Sequence, residues 1–157
     1  MNVKVLPGLL MAALALAACS HPSPWKEYVY ADQHFAVAFT APPKAGKEMG
    51  PFLAEMNDGK TDLGVTAACN LPPGANPAQL VDSATERTRE NGTVHDITAI
   101  TLGQTAGRQM LVDQASGPTV TQRVFVKNGC LYLVFAASKD GPKSEAVTRF
   151  LDSFRFL

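Results

Sequence analysis

The sequence predicts an α+β domain in which an antiparallel sheet is flanked by helices. Residues 27–157 consist mostly of short strand-like segments that follow one another through turn residues, and two segments carry helical periodicity. One helix is predicted in the middle of the chain and one at its end, an order typical of a meander sheet with helices packed on it. The clearest predicted hairpin has apolar side chains on both faces, which indicates a sheet covered on two sides.

The predicted strands are short, and turn residues separate them. Segment 34–39 alternates large and small apolar residues, and 52–56 and 63–71 form a predicted hairpin around Asn57-Asp58-Gly59. Residues 44–51 contain glycine and proline and are predicted to be a loop. In chain order the predicted strands are 27–30, 34–39, 52–56, 63–71, 94–102, 108–113, 120–126 and 130–137.

The last two strands form the clearest predicted hairpin. Asn128-Gly129 between them favours a two-residue turn. In the register that this turn sets, Val124 faces Leu133 and Phe125 faces Tyr132. We therefore expect the hairpin to lie inside the sheet.

Two segments are predicted to be helices. Asn76-Pro77 begins the first, because asparagine caps free backbone amides and proline suits the first helical position, and Asn91-Gly92 ends it. The second is predicted to open at Gly141-Pro142 and to dock on the sheet through a wide apolar stripe. That stripe comprises Ala146, Val147, Phe150, Leu151 and Phe154.

Three stretches of this chain resemble the PsbP-like domains, which are related to an extrinsic subunit of photosystem II. They are 34–42, 129–133 and 150–154, and the similarity spans about Tyr28 to Phe154. The resemblance implies an α/β/α sandwich around an antiparallel sheet. It implies no reaction, because none of the matching residues has catalytic character.

The start of the chain is predicted to be a leader and an anchor. Residues 1–18 are a short positive start followed by an apolar run of about 14 residues, below the ~20 that span a bilayer. The sequence Leu16-Ala17-Ala18-Cys19 resembles the lipobox of bacterial lipoproteins, which implies lipidation of Cys19. Residues 19–26 would then be a lipidated tether, and Ser20 favours an outer membrane, facing the periplasm, in a Gram-negative cell. The alternative is an ordinary signal peptide in which Cys19 has no role.

The two remaining cysteines, Cys69 and Cys130, are predicted to form a disulfide in an oxidising compartment. The alternative is two separate buried thiols, since free cysteine packs like a small hydrophobic residue. Neither cysteine has a second Cys or His at ligand spacing, so no metal site is predicted. No cofactor motif is present in the sequence either.

The sequence offers few candidates for catalysis, and no catalytic residue is assigned. Serine-hydrolase, Walker, dinucleotide and His-Glu-x-x-His motifs are absent. His95-Asp96 could act as an acid–base pair, but neighbouring strand residues point to opposite faces, so we expect a surface role. Asp113 and Arg123 are expected to pair across neighbouring strands. The aromatic residues near the tether are expected to pack at the rim of the core; these are Trp25, Tyr28 and Tyr30.

These observations favour a non-catalytic envelope lipoprotein. Its partners would be the membrane, through the Cys19 lipid, and an envelope protein or glycan. Lysine plus arginine equal aspartate plus glutamate at 14 each, so the chain lacks the net positive charge that non-specific binding to nucleic acid requires. The alternative is a hydrolase-like envelope enzyme with a site built on loops 44–51 or 71–76. A concave pocket with convergent polar groups would favour the enzyme, and an exposed apolar surface would favour binding.

Overall fold

The computed structural model describes residues 24–47 and 50–157, and the predicted leader and Cys19 lie outside them. The described residues form ten strands and two α-helices. In chain order these are β1 (Lys26–Tyr30), β2 (Phe35–Phe39), β3 (Lys44–Gly46), β4 (Phe52–Asn57), β5 (Thr61–Cys69), α1 (Pro77–Asn91), β6 (Thr93–Leu102), β7 (Thr105–Asp113), β8 (Val120–Lys127), β9 (Cys130–Ser138), α2 (Glu145–Ser153) and β10 (Arg155–Phe156).

The larger sheet has seven antiparallel strands in the order β3-β4-β5-β9-β8-β7-β6. The two predicted hairpins, β4-β5 and β8-β9, are both present. In β8-β9, Val124 lies opposite Leu133 and Phe125 lies opposite Tyr132, so the predicted register is confirmed. The prediction of an α+β fold on an antiparallel sheet is confirmed with it.

A second, smaller sheet was not predicted. Its three strands run in the order β1-β2-β10, and all pairs are antiparallel. His34, predicted to be in a strand, has a φ of 58° and ends the short 3-10 turn Ala31–Gln33, so β2 begins at Phe35. The predicted loop 44–51 is also partly wrong, because β3 pairs with β4 and forms one edge of the larger sheet.

The larger sheet is covered on both faces, as the hairpin predicted. On one face, α2 and the small sheet enclose the larger core, in which Phe35, Tyr132 and Phe150 are fully buried. On the other face, α1 covers a smaller core around Val81, Met110 and Val124. Burial of these side chains is the main source of stability, at ~25 cal/mol per Å² of apolar surface removed from water.

Side-chain caps fix where the helices begin. Asn76 Oδ1 accepts hydrogen bonds from the backbone N–H groups of Ala78 at 3.0 Å and Gln79 at 3.4 Å, which confirms the predicted start of α1. The start of α2 was predicted too early. Gly141 has a φ of +98°, outside the helical range, and Ser144 caps the helix three residues later.

Two polar side chains tie the layers together. The Tyr132 hydroxyl, in the larger core, donates to the backbone oxygen of Gln33 at 2.8 Å, and burial raises the pKa of Tyr132 to about 12. Arg123 on β8 donates through Nη1 to the backbone oxygen of Leu151 at 2.8 Å. Because the last carbonyls of a helix lack partners within the helix, this bond also satisfies one free carbonyl in the last turn of α2.

Candidate functional site

One concave feature of the described residues is a groove beside α1. The helix packs chiefly on β8, with fewer contacts to β7 and β6, so it lies over one half of its sheet face. A groove of about 510 Å³ runs along the flank of α1 that faces β9 and β5, a volume within the usual range of small-molecule sites. We call it the leucine groove. It is lined by Ala68, Leu71, Leu80, Ser83, Ala84, Arg87, Thr88, Asn91, Val112, Gln114, Val120, Gln122, Leu131 and Leu133.

The narrow apolar stripe of α1 explains why the leucine groove is open. Only Val81, Ala84 and Thr85 of this helix are buried, so the helix sits close to β8 and does not reach across the sheet. Leu80 on the helix and Leu133 on β9 are left half-buried on either side of the gap. The sheet therefore offers a partly exposed aliphatic surface next to the helix.

Polar groups lie at the rim of the leucine groove. Gln122 Nε2 donates to Thr88 Oγ1 at 3.0 Å, and the Thr88 hydroxyl donates to the backbone oxygen of Ala84 at 3.0 Å. Arg87 is the one ionisable residue among the lining side chains. Its guanidinium makes no ion pair within the described part of the chain. An unpaired cation thus stands beside an aliphatic surface.

A second groove lies at the start of α1, towards β6 and β7. Its volume is about 670 Å³, and Pro77, Asp82 and Ala99 are among the residues that line it. Here Arg108 is paired with Asp82. The charges of this groove therefore cancel, which distinguishes it from the leucine groove.

The His95-Asp96 pair is arranged differently from the sequence prediction. His95 Nδ1 lies 3.2 Å from Asp96 Oδ2, although the two residues were expected to point to opposite faces. Asp96 has a φ of 52°, and the register of β6 against β7 shifts between His95 and Thr98. This bulge breaks the alternation of the strand and turns the Asp96 carboxylate towards the ring.

Asp113 completes the cluster. Its Oδ2 lies 3.0 Å from His95 Nε2, and its Oδ1 accepts a hydrogen bond of 2.7 Å from the Thr119 hydroxyl. That hydroxyl, and secondarily His95, lowers the pKa of Asp113. Both ring nitrogens of His95 therefore face carboxylates, and the nearby hydroxyl binds the carboxylate instead of the ring. This geometry does not activate a nucleophile, and none of these residues lines either groove.

The predicted Asp113–Arg123 pair is wrong. Arg123 Nε donates to Gln109 Oε1 at 2.8 Å, and its Nη2 lies 3.1 Å from Asp152 Oδ1. In the β7-β8 register Arg123 faces Gln109, so Asp113 is four residues too far along β7. Arg123 therefore links α2 to the larger sheet.

The other residues singled out from the sequence lie away from the leucine groove or at its edge. Cys69 and Cys130 form a disulfide between directly opposite residues of β5 and β9, with Cα atoms 4.0 Å apart. Tyr30 packs on Phe35 and Phe52, and Trp25 and Tyr28 also pack against the larger core, so the aromatic residues near the tether belong to its rim.

Arg87, which is one of several charged residues in α1, was not singled out from the sequence. Leu131 and Leu133 carried a usable signal, because they made the second face of the β8-β9 hairpin apolar. Of the two loops considered for an enzyme, 71–76 contributes Leu71 to the leucine groove. Residues 44–46, 50 and 51 of the other segment border a separate surface pocket with Leu53 and Glu55.

No helix among the described residues has the length and hydropathy needed to cross a membrane. Within the same residues, no three His, Cys, Asp or Glu side chains are grouped as metal ligands would be.

Comparison with known proteins gives structural matches alone. No family model matches the chain, and no curated protein does. The chain resembles the cyanobacterial PsbP, CyanoP, of Synechocystis sp. PCC 6803, with a TM-score of 0.60 and 8% identity over 93% of this chain and 100% of that one. It also resembles a protein from Bacteroides thetaiotaomicron, with a TM-score of 0.51 and 10% identity over 84% of this chain and 48% of that one. The chain therefore has the α+β fold of the PsbP-like domains.

Proposed function

We propose that this protein is a lipid-anchored protein of the bacterial cell envelope whose PsbP-like domain binds a partner without catalysing a reaction. The observation that carries the proposal is the separation of the leucine groove from the His95 cluster. The groove is lined by aliphatic side chains, amides, hydroxyls and one cation, and the cluster of acid and base groups lies elsewhere. An enzyme would need its acid or base within hydrogen-bond reach of the bound substrate.

The anchoring half of the proposal rests on the leader. The four residues Leu16-Ala17-Ala18-Cys19 match the lipobox pattern at every position. Two or more acyl chains on Cys19 would hold the protein stably, because a single chain binds a bilayer only marginally. By the same sorting pattern Ser20 favours an outer membrane, where the domain would face the periplasm of a Gram-negative cell.

Fractionation of cells that express the full chain tests the anchor. We expect the wild type to incorporate labelled palmitate and to stay in the membrane fraction after a carbonate wash. Cys19→Ala should abolish the label and release the protein, and Ser20→Ala, which changes the neighbouring residue, should do neither. A Cys19→Ala protein that stays in the washed membrane would refute the lipoprotein half.

Site-directed cross-linking tests the binding half. A photoreactive residue that replaces Ser83, which lines the leucine groove, should form covalent adducts with the bound partner when cells are irradiated. The same residue at Glu86, on the same helix and outside the groove, is the control and should give few. Equal yields at the two positions would refute a binding role for the groove.

A further inference from the structure

We propose that the leucine groove binds a single aliphatic chain that carries an anionic head group, as in a long-chain fatty acid or a lysophospholipid. This inference rests on the proposed function and names the ligand class of the groove. It follows from two independent features, the shape and character of the lining and the position of its one charge.

The aliphatic part of the ligand matches the floor and walls of the groove. Leu131 and Leu133 on β9 lie beside Ala68 on β5, and Leu80 on α1 faces them, all of them part-exposed in this structure. A groove with aliphatic side chains on both the helix and the sheet can enclose one extended aliphatic chain along its length. Covering these side chains would remove apolar surface from water, which is the main driving force of such binding.

The head group follows from Arg87. No carboxylate lines the leucine groove, so an anion there meets one cation and no like charge. The neighbouring Arg89, by contrast, has Nε 3.5 Å from Glu86 Oε1, and Arg108 in the second groove is paired with Asp82. A guanidinium at the rim of an apolar cleft attracts a carboxylate or phosphate and can bind it through two parallel hydrogen bonds.

Photo-labelling of the lipidated protein in phosphatidylcholine vesicles tests the ligand class. The probe is a long-chain fatty acid with a diazirine near the end of its chain, and a fatty alcohol of the same length with the same diazirine is the neutral control. Trypsin after reduction releases peptides 61–87 and 128–139, which carry the groove leucines. We expect the acid to label these peptides at least tenfold more than the alcohol does. Unlabelled fatty acid and lysophosphatidylglycerol are the competitors, and the better one identifies the source of the head group.

Three variants locate the site. Ala68→Phe fills the floor and should reduce the labelling of both peptides at least tenfold, while circular dichroism verifies that the variant is folded. Arg87→Glu should reduce the labelling by a similar factor; this variant loses the cleavage site at residue 87, so its first peptide is 61–89. Arg89→Glu, the same charge change two residues away, should leave the labelling unchanged.

Labelling spread over the whole chain, labelling that persists in Ala68→Phe, or equal labelling by acid and alcohol would overturn the inference. Flotation of the vesicles measures the anchor separately. The cross-linking yield at Ser83, compared with that at Glu86, measures binding by the groove separately. Failure of the lipid inference is therefore distinguishable from failure of the proposed function.

Discussion

At the scale of the residue, Asp62 combines a charge with partial burial. Its Oδ1 is buried and has no hydrogen-bond partner among the described residues. Burial, and secondarily the nearby Glu55 carboxylate, raises the pKa of Asp62 above the usual value of an aspartate. The folded state therefore binds a proton on Asp62 more tightly than the unfolded state does. Asp62 destabilises the fold progressively as pH rises from the unfolded-state pKa of about 3.9 through the raised folded value.

Asp62→Asn should therefore stabilise the protein at neutral pH. We expect the thermal midpoint to rise by a few degrees near neutral pH, and the gain to vanish below about pH 3.9, where the aspartate is protonated in both states. The gain is modest because Asp62 is still partly exposed and water screens its charge. Thermal melts at the two pH values measure the difference.

Asp58, on the turn between β4 and β5, is the control with the opposite sign. Its Oδ1 accepts hydrogen bonds from the backbone N–H groups of Lys60 and Thr61 at 2.9 and 2.7 Å, and these bonds lower its pKa. Asp58→Ala should destabilise at neutral pH and progressively less as acid protonates the wild-type carboxylate. An Asp62→Asn variant with the same gain at both pH values would contradict the electrostatic explanation.

Single residues also mark where sequence reasoning fails. Alternation along a strand placed His95 and Asp96 on opposite faces, and the positive φ of Asp96 at a bulge brought them together. The predicted pairing of Asp113 with Arg123 was wrong because Arg123 lies opposite Gln109, four residues before Asp113. The predicted strand boundaries did not determine this register. Backbone geometry at one residue and register between two strands depend on the whole sheet, and no local pattern in the sequence reports them.

At the scale of the element, α2 is predicted to be essential although it lies near the end of the chain. Phe150 and Phe154 are buried in the larger core, Phe150 on the helix and Phe154 immediately after it. A buried Phe→Ala change costs ~3 to 5 kcal/mol, and domains are typically stable by only ~5 to 15 kcal/mol. Phe150→Ala with Phe154→Ala should therefore abolish the cooperative thermal transition. The exposed Lys143→Glu just before the helix should leave the midpoint nearly unchanged; a double variant that melts within a few degrees of the wild type would mean that α2 is dispensable.

Long helices and strands could be located from the sequence, and the shortest strands could not. The two helices and the strands of the β4-β5 and β8-β9 hairpins each carry enough periodicity or capping signal to be located. The strands β3 and β10 have three and two residues, too few for an alternating pattern. Their existence is decided by the neighbouring strand that pairs with them, so β3 of the larger sheet and β10 of the smaller one were both missed.

At the scale of the whole molecule, the two-sided covering of the sheet was predictable and the leucine groove was not. Apolar residues on both faces of one hairpin sufficed to predict two layers. How far α1 extends across its face depends on how closely the helix approaches β8 at Ala84, and on the strands left beyond it. The groove is the space between these layers, so it emerges only when they are assembled.

The Cys69–Cys130 disulfide joins the adjacent strands β5 and β9, and its removal is the last prediction. The cysteines are 61 residues apart, and the chain between them contains α1, β6, β7 and β8 and most of the residues that line the leucine groove. Closing a loop of this length stabilises a fold by up to about 4 kcal/mol on the chain-entropy estimate, since it restricts the unfolded chain. Cys69→Ala with Cys130→Ala should lower the free energy of unfolding by up to about this amount, and the midpoint of denaturant unfolding should fall with it.

Reductant provides the control for that experiment. It should shift the wild-type midpoint towards that of the double variant and leave the double variant unchanged. The slope of the transition reports the surface exposed on unfolding, and an increase on removal of the cross-link would indicate a more expanded unfolded state, as the entropic explanation requires. Complete alkylation of both thiols in denatured, unreduced protein from the envelope would show that the pair is not oxidised there, and the cysteines would then contribute only as buried side chains on β5 and β9.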